Sequence, residues 1–151
     1  MSKATILAAA ALLLAPVAVS AQTAPSGRCP QLPPGAGLVW ESQAMGDSDF
    51  CRALRSDGSE AFGLYITPEP SFEPKRSMAE ERGRIDGQEV RWYRAEIASA
   101  PGIEARETLL ELNDGRYAHI WLQAGSEQDL ATTYQTVGKL RFVQSRQVAG
   151  N

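Results

Sequence analysis

The segment between residues 106 and 123 constrains the fold more than any other part of the sequence, because two alternating runs flank one short turn, LNDGR. A two-residue loop would pair Leu112 with Tyr117. A three-residue loop with Gly115 in the left-handed conformation would pair Leu112 with Arg116. The two registers differ by one residue, so they bring opposite sets of side chains together. Only the three-residue loop gives an unbroken apolar face, and the sequence therefore predicts that register.

The predicted register divides this hairpin into two faces. The face expected to point into the core consists of Thr108, Leu110, Leu112, Ala118, Ile120 and Leu122. The other face carries Glu107, Leu109, Glu111, Tyr117, His119, Trp121 and Gln123. His119 is the only histidine of the chain, so the second face is the first place to look for chemistry.

Short alternating runs elsewhere predict several more strands. The segment PEPSFEP at residues 68–74 interrupts them, because three prolines in seven residues are compatible with neither a helix interior nor a central strand. Asp86-Gly87 predicts a hairpin turn within residues 84–97. The predicted strands cover residues 38–45, 49–56, 61–67, 84–97, 106–112, 115–125 and 139–143.

Two helices are predicted. Ser126 is a good N-cap for a helix that ends at Gly138, and acidic residues occupy its first turn. Its buried stripe is expected to contain Leu130, Thr133 or Tyr134, and Val137. The segment at residues 75–83 predicts a short second helix that closes at Gly83. The predicted class is therefore α+β, an antiparallel sheet with a C-terminal helix packed on it.

The first 21 residues have the composition of a secretory signal. Lys3 precedes an apolar run from Ala4 to Val19, and small residues lead to a predicted cleavage after Ala21. The run is short for a membrane span and is broken by Pro16. The sequence thus predicts a periplasmic or secreted protein with no transmembrane span after cleavage.

The chain after cleavage has the length of one domain. We expect a Pro/Gly-rich arm at residues 22–37, a single α+β domain at 38–143 and a disordered tail at 144–151. Cys29 and Cys51 are the two cysteines, and an even number in an exported chain predicts a disulfide. Their spacing is not C-x-x-C, which argues against the alternative of a reactive pair.

Charge and ligand types argue against several classes of function. Removal of Lys3 changes the formal net charge from −3 to −4, and the charges are interspersed, so neither nucleic acid nor anionic membrane is an expected partner. One histidine and two paired cysteines do not make a usual zinc ligand set. Asp47 and Asp49 are interpreted as a solvated turn, because Phe50 and Cys51 follow where a calcium loop needs oxygen ligands and a glycine. No metal and no cofactor is predicted.

The aromatic face of the 106–123 hairpin is the candidate site. His119 could act as a general base oriented by Glu107 or Glu111, but no G-x-S-x-G or S-x-x-K motif supplies a nucleophile, so no catalytic residue is predicted. An aromatic patch with an Arg and Glu rim has the composition of a protein interface. The predicted binding residues are Tyr117, His119, Trp121, Glu107, Arg91 and Tyr93.

Two structural questions remain open at this point. A helix or loop could cover the aromatic face and turn it into a second small core. The inward face of the strand at residues 90–97 is also open, since Val90 and Trp92 favour one face while Tyr93, Ala95 and Ile97 favour the other.

The order of elements resembles a known family. The segments DGQEVRWYRAE, RETLLELNDGRYAHIWLQA and EQDLATTYQTVGKLRF are similar, in element order and texture, to the second half of the PsbP-like α/β/α sandwich superfamily, over about residues 60–143. The resemblance includes no diagnostic motif, and the arm and the PEPSFEP segment depart from the family pattern. It implies a non-catalytic domain that acts in binding, assembly or regulation.

The sequence therefore favours an exported, non-catalytic domain that contacts another envelope protein, in an accessory role or an inhibitor- or immunity-type role. The alternative is a small-molecule carrier with a pocket between helix and sheet, lined by Leu130, Tyr134 and Val137. A hydrolase built around His119 is a third hypothesis. The oligomeric state is not predicted.

Overall fold

The computed structural model describes residues 28–95 and 102–142. A seven-stranded antiparallel sheet and one C-terminal helix confirm the predicted α+β class. The predicted signal segment and the tail at 144–151 lie outside the described residues. The elements are β1 (Val39–Met45), β2 (Ser48–Leu54), β3 (Glu60–Thr67), β4 (Ala79–Ile85), β5 (Gln88–Arg94), β6 (Glu104–Glu111), β7 (Tyr117–Ala124) and α1 (Glu127–Gly138).

The sheet consists of two meanders that meet in its centre. The strand order is β1-β2-β3-β7-β6-β5-β4, so β1 to β3 form one meander and β4 to β7 form the other. The pairing of β3 with β7 joins the two meanders. Among residues 28–95 and 102–142, strands β1 and β4 are consequently the two edges of the sheet, and the connection after β3 leads from the sheet centre to the β4 edge.

The hairpin of β6 and β7 has the predicted register. The Leu112 amide donates to the Arg116 carbonyl at 2.7 Å, and Gly115 has a φ of 83°, the left-handed conformation that the three-residue loop requires. Leu110 lies opposite Ala118 in the ladder. The prediction is confirmed, and the same pleat turns His119 away from the main core.

The predicted helix at residues 75–83 is wrong. A single 3-10 turn at Arg76–Met78 is followed directly by β4. Asp86 and Gly87 both have positive φ and form the predicted two-residue hairpin turn, which places Gly83 opposite Val90 in the ladder with β5. Pairing with β5 thus overrides the weak helical preference of this segment.

Helix α1 covers one face of the sheet, the helix-side face. The Ser126 hydroxyl accepts a hydrogen bond from the Asp129 amide at 3.1 Å, which confirms the predicted N-cap. The buried residues of α1 are Leu130, Thr133 and Val137, so the stripe runs through Thr133, while Tyr134 is half-buried. The main core lies between this stripe and the inward residues of the strands.

The arm covers the rest of the helix-side face next to β1 and β2. Cys29 and Cys51 form the predicted disulfide, with an S–S distance of 2.02 Å, and Cys51 is fully buried. The Trp40 indole donates to the Pro30 carbonyl at 2.7 Å. The arm is therefore part of the second layer of the fold and is attached to the sheet through both contacts.

The predicted final strand at 139–143 is wrong. Only one bridge forms, between Gln31 and Arg141, and residue 143 lies outside the described residues. The neighbour of this segment is the arm, in which Pro30 and Pro33 flank the bridge. Pro33 stands where the next hydrogen-bonded pair, with Lys139, would need an amide donor, and proline has none, so the ladder does not continue towards α1.

The open question about residues 90–97 is answered for the described part of the segment. Val90 and Trp92 are buried on the helix-side face, whereas Tyr93 lies opposite Glu107 on the other face. Residues 96 and 97 lie outside the described residues.

A polar cluster around the buried Arg106 links α1 to strands β4 and β6. The Arg106 guanidinium, 7% exposed, bonds both Glu81 carboxylate oxygens at 3.1 and 3.2 Å, and the Tyr134 hydroxyl donates to the same carboxylate at 2.9 Å. Burial opposes ionisation of Glu81, but the Arg106 hydrogen bonds hold its pKa below the usual value. Burial, together with the Glu81 carboxylate, raises the pKa of Tyr134.

Candidate functional site

The sheet face opposite α1, here called the open face, carries the candidate site. Along β7 buried residues alternate with half-buried ones, and the half-buried ones point to this face. The open face carries a set of half-buried aromatic side chains, together with Leu109, that come from five of the seven strands. They are Phe50, Tyr65, Tyr93, Leu109, Tyr117, His119 and Trp121.

His119 and Glu107 form the polar centre of the open face. The His119 Nε2 and a Glu107 carboxylate oxygen are 3.0 Å apart, and both side chains are about one-fifth exposed. Burial lowers the pKa of His119, although the nearby Glu107 carboxylate opposes this shift. The ring is therefore neutral at neutral pH, and its Nε2–H donates to Glu107.

A strap formed by residues 68–74 crosses part of the open face. Phe72, half-buried, lies with its ring 4.5 Å from the His119 ring and 6.3 Å, edge-on, from Tyr93. Leu109 lies beside the same strap. The strap thus covers the His119 and Tyr93 end of the face. The open face is therefore covered by the strap at this end and is more accessible at the other end.

Trp121 occupies the other end of the open face. Its indole lies across β3 directly over Gly63, where a Cβ atom would overlap the ring. The ring stacks on Phe50 with 5.6 Å between centroids, and its N–H donates to Glu60 at 3.0 Å. Arg52 bonds the other oxygen of Glu60 at 2.8 Å. The position of Trp121 is therefore fixed by one glycine, one ring and one hydrogen-bonded carboxylate.

The structure brings most of the predicted binding residues together. Tyr117, His119 and Trp121 follow one another on β7, and Glu107 lies directly opposite Trp121 on β6. Tyr93 lies directly opposite Glu107 and joins the group. Arg91 lies on the same face, but its guanidinium bonds the Glu80 backbone carbonyl at 3.1 Å, so it belongs to the β4 side of the rim.

Sequence analysis missed three aromatic members of the face, namely Phe50, Tyr65 and Phe72. Phe50 and Tyr65 alternate with the inward residues of β2 and β3, so the period-two pattern contained the signal once the strand order was known. Phe72 lies within PEPSFEP, which was interpreted only as an interruption. Its role depends on the path of the strap across the sheet, and local sequence carries no signal for that path.

The interpretation of Asp49 as part of a solvated turn is wrong. Asp49 is 3% exposed, because the β2–β3 register places it opposite Ile66 on the helix-side face. Its carboxylate pairs with Arg28 at 3.5 Å and with Arg116 at 3.4 Å. Asp47 is exposed in the turn, as expected.

The described geometry around His119 consists of packing and one hydrogen bond. Its ring contacts Glu107, Phe72 and Trp121, and none of these three supplies the hydroxyl or thiol that a histidine base would activate. Within residues 28–95 and 102–142, no group of three His, Cys, Asp or Glu side chains could hold a metal ion. The arrangement of this face is suited to contact through its aromatic surfaces.

The space that Leu130, Tyr134 and Val137 were expected to line is filled by side chains, whereas an open cleft lies between α1 and the arm and is lined by Thr132, Thr136 and Phe62. Leu130 and Val137 are part of the main core, and Tyr134 packs on Trp92 with 4.9 Å between ring centroids. In the described parts of the chain, no helix is both long and apolar enough to cross a bilayer.

Comparisons with protein-family models, curated proteins and solved structures give no match. The resemblance to the PsbP-like superfamily therefore stays a prediction.

Proposed function

We propose that this chain is an exported, non-catalytic binding domain whose open face contacts another envelope protein. The observation that carries the proposal is the difference in covering between the two sides of one sheet. The helix-side face is closed by α1 and the arm. The open face leaves a set of aromatic side chains from four strands, β2, β3, β5 and β7, half-exposed.

The composition of the open face supports a protein partner. Trp and Tyr are the residues that most often dominate binding energy, and they do so when they are surrounded by a polar rim. Here Trp121 and Tyr117 lie on the central strand β7, and the Arg52–Glu41 and Arg94–Glu80 ion pairs lie towards the two edges of the sheet. A surface with this arrangement matches a partner that presents an apolar centre and charges of both signs.

Export is part of the proposal and is supported by two independent features. The N-terminal segment has the composition of a cleavable signal, and the Cys29–Cys51 disulfide is of the kind that persists in oxidising compartments. An accessory role or an inhibitor- or immunity-type role suits a small domain of this kind. The resemblance to the PsbP-like superfamily, if it reflects kinship, would add an assembly or regulatory role.

A pull-down from the periplasm tests the proposal. We expect the affinity-tagged chain to recover one protein in stoichiometric amount, identified by mass spectrometry. Tyr117→Ala and Trp121→Ala should each reduce the recovery. Gln135→Ala, at an exposed position of α1, should leave it unchanged. Recovery of no protein, together with a co-purified small molecule, would contradict the proposal and favour the carrier.

A further inference from the structure

The two edges of the sheet differ in how they are protected. Strand β4 carries four charged residues, and its ladder is irregular between Ala79 and Arg82, two features that hinder pairing with a further strand. Strand β1 pairs with β2 in one continuous register from Val39 to Met45, and it contains no proline and a single charge, Glu41. An edge of this kind presents backbone donors and acceptors to a further strand.

Strand β1 also carries the largest exposed apolar side chains of the described residues. Val39 is 64% exposed and Met45 is 52% exposed, at opposite ends of the strand. Both lie on the open face, as Gln43 does, because Gln43 is opposite Phe50. These two residues take no part in the core, so the packing within the described chain does not account for them.

We infer that β1 pairs antiparallel with β1 of a second copy of this chain. In a symmetric register centred on residue 42, Val39 of each copy lies directly opposite Met45 of the other, so both exposed apolar side chains become covered. Glu41 lies opposite Gln43 of the second copy, and no like charges face each other. Centring on Glu41 would instead place two carboxylates opposite each other, and centring on Gln43 would separate Val39 from Met45.

The β4 edge does not offer a symmetric register that is free of like charges opposite each other. Centring on Arg82 or on Glu81 places that residue opposite its own copy, and centring on Gly83 places Arg82 opposite Arg84 in both halves. Like charges directly opposite each other destabilise an antiparallel pair. The charge pattern thus selects β1 as the edge that associates.

Pairing through β1 would join two sheets into one continuous sheet. The two open faces would then lie on the same side, since residues opposite each other in a ladder share a face. The inference goes beyond the proposed function and does not depend on it, because self-association requires no envelope partner.

Sedimentation equilibrium of the full chain, with two variants at one position, tests the inference. The wild type should show a concentration-dependent monomer–dimer equilibrium. Gln43→Glu places a carboxylate opposite Glu41 at both symmetry-related positions and should weaken dimerisation about three- to tenfold, whereas Gln43→Lys should strengthen it by a similar factor. Equal thermal unfolding midpoints of the two variants at low concentration serve as the folding control.

Cysteine pairs test the register itself. Val39→Cys and Met45→Cys, mixed in a glutathione redox buffer, should form a cross-linked dimer, because directly opposite residues lie within disulfide range. Neither variant should cross-link with itself, since the register offsets the two copies of each position by six residues along the strand. Cys51 is fully buried, so the native disulfide should be unaffected under these conditions.

Three results would overturn the inference. One is a monomer at all concentrations up to about 1 mM, the weak end of protein association. The second is a dimer that responds equally to Gln43→Glu and Gln43→Lys. The third is cross-linking of Val39→Cys to another protein in preference to Met45→Cys, which would show that the strand on this edge belongs to a different partner.

Discussion

Each face of the sheet has a tryptophan that lies over a glycine, and the two tryptophans differ in what covers them. Trp92 lies over Gly83 on the helix-side face, is 3% exposed and is covered by Tyr134. Trp121 lies over Gly63 on the open face and is only half-buried. The same packing of an indole on a glycine therefore completes a core on one side and builds a surface on the other.

The polar groups of the two faces differ in the elements that they join rather than in exposure. On the helix-side face, the Glu81 carboxylate is 43% exposed and receives hydrogen bonds from the buried Arg106 and from Tyr134 of α1. On the open face, Glu107 is 23% exposed and bonds His119. The first arrangement attaches the helix to the sheet, while the second joins two neighbouring strands.

The largest expected effect is that of Trp92→Ala. Loss of a fully buried indole should lower the free energy of unfolding by about 4 kcal/mol, because the surrounding core cannot fill the cavity. Urea denaturation followed by circular dichroism measures the change. A loss below about 1 kcal/mol would show that the helix-side face is loosely packed and would remove the contrast between the faces.

Trp121→Ala should have a smaller effect, about 1.5 kcal/mol, because the ring is only half-buried and its loss removes less apolar contact area. The same denaturation experiment measures it, with Trp92→Ala as the matched comparison. If both substitutions cost the same, the open face is a second structural core, and its role as a contact surface loses support.

Tyr134→Phe sharpens the comparison of the polar groups. It removes the hydroxyl that donates to Glu81 and keeps the ring on Trp92, so we expect a loss of about 1 kcal/mol in the free energy of unfolding. The control is Tyr117→Phe on the open face, for which no change is expected. An effect of Tyr117→Phe as large as that of Tyr134→Phe would contradict the distinction between the faces.

The smallest expected effect is the pH dependence due to His119. Its pKa in the folded chain is below the ordinary value of 6.5, so just below pH 6.5 the unfolded chain binds more protons than the folded chain. The free energy of unfolding should therefore fall as the pH drops from 6.5 to the pKa of His119 in the folded chain. Above pH 6.5, His119 should cause no pH dependence. His119→Gln should remove this part of the pH dependence. An identical pH profile for wild type and variant would show that His119 is not desolvated.

The parts of the fold that local patterns determine were predictable. The β6–β7 register followed from the turn and the apolar alternation, and the N-cap of α1 followed from Ser126. The segments at 75–83 and 139–143 were predicted incorrectly because their state depends on the strand or arm that lies next to them. Burial of Asp49 likewise depends on Arg116, which is distant in sequence.

The candidate site was predictable to the same extent. Residues on one hairpin, such as His119, Trp121 and Glu107, could be grouped because the register places them on one face. Phe72 could not be included, since its contact with His119 depends on the path of the strap between the sheet centre and the β4 edge. Contacts within one supersecondary unit were therefore predictable, and contacts between units were not.

The meeting of β3 and β7 in the sheet centre has a consequence for the kinetics of folding. Each meander is built from strands adjacent in sequence, whereas Phe62 pairs with Leu122, about 60 residues away. Pairing over such a separation carries a loop-closure cost that local hairpins do not, so docking of the two meanders should limit the folding rate. The disulfide connects residues of the first meander and its arm only, and oxidation therefore does not shorten the loop that this docking step must close.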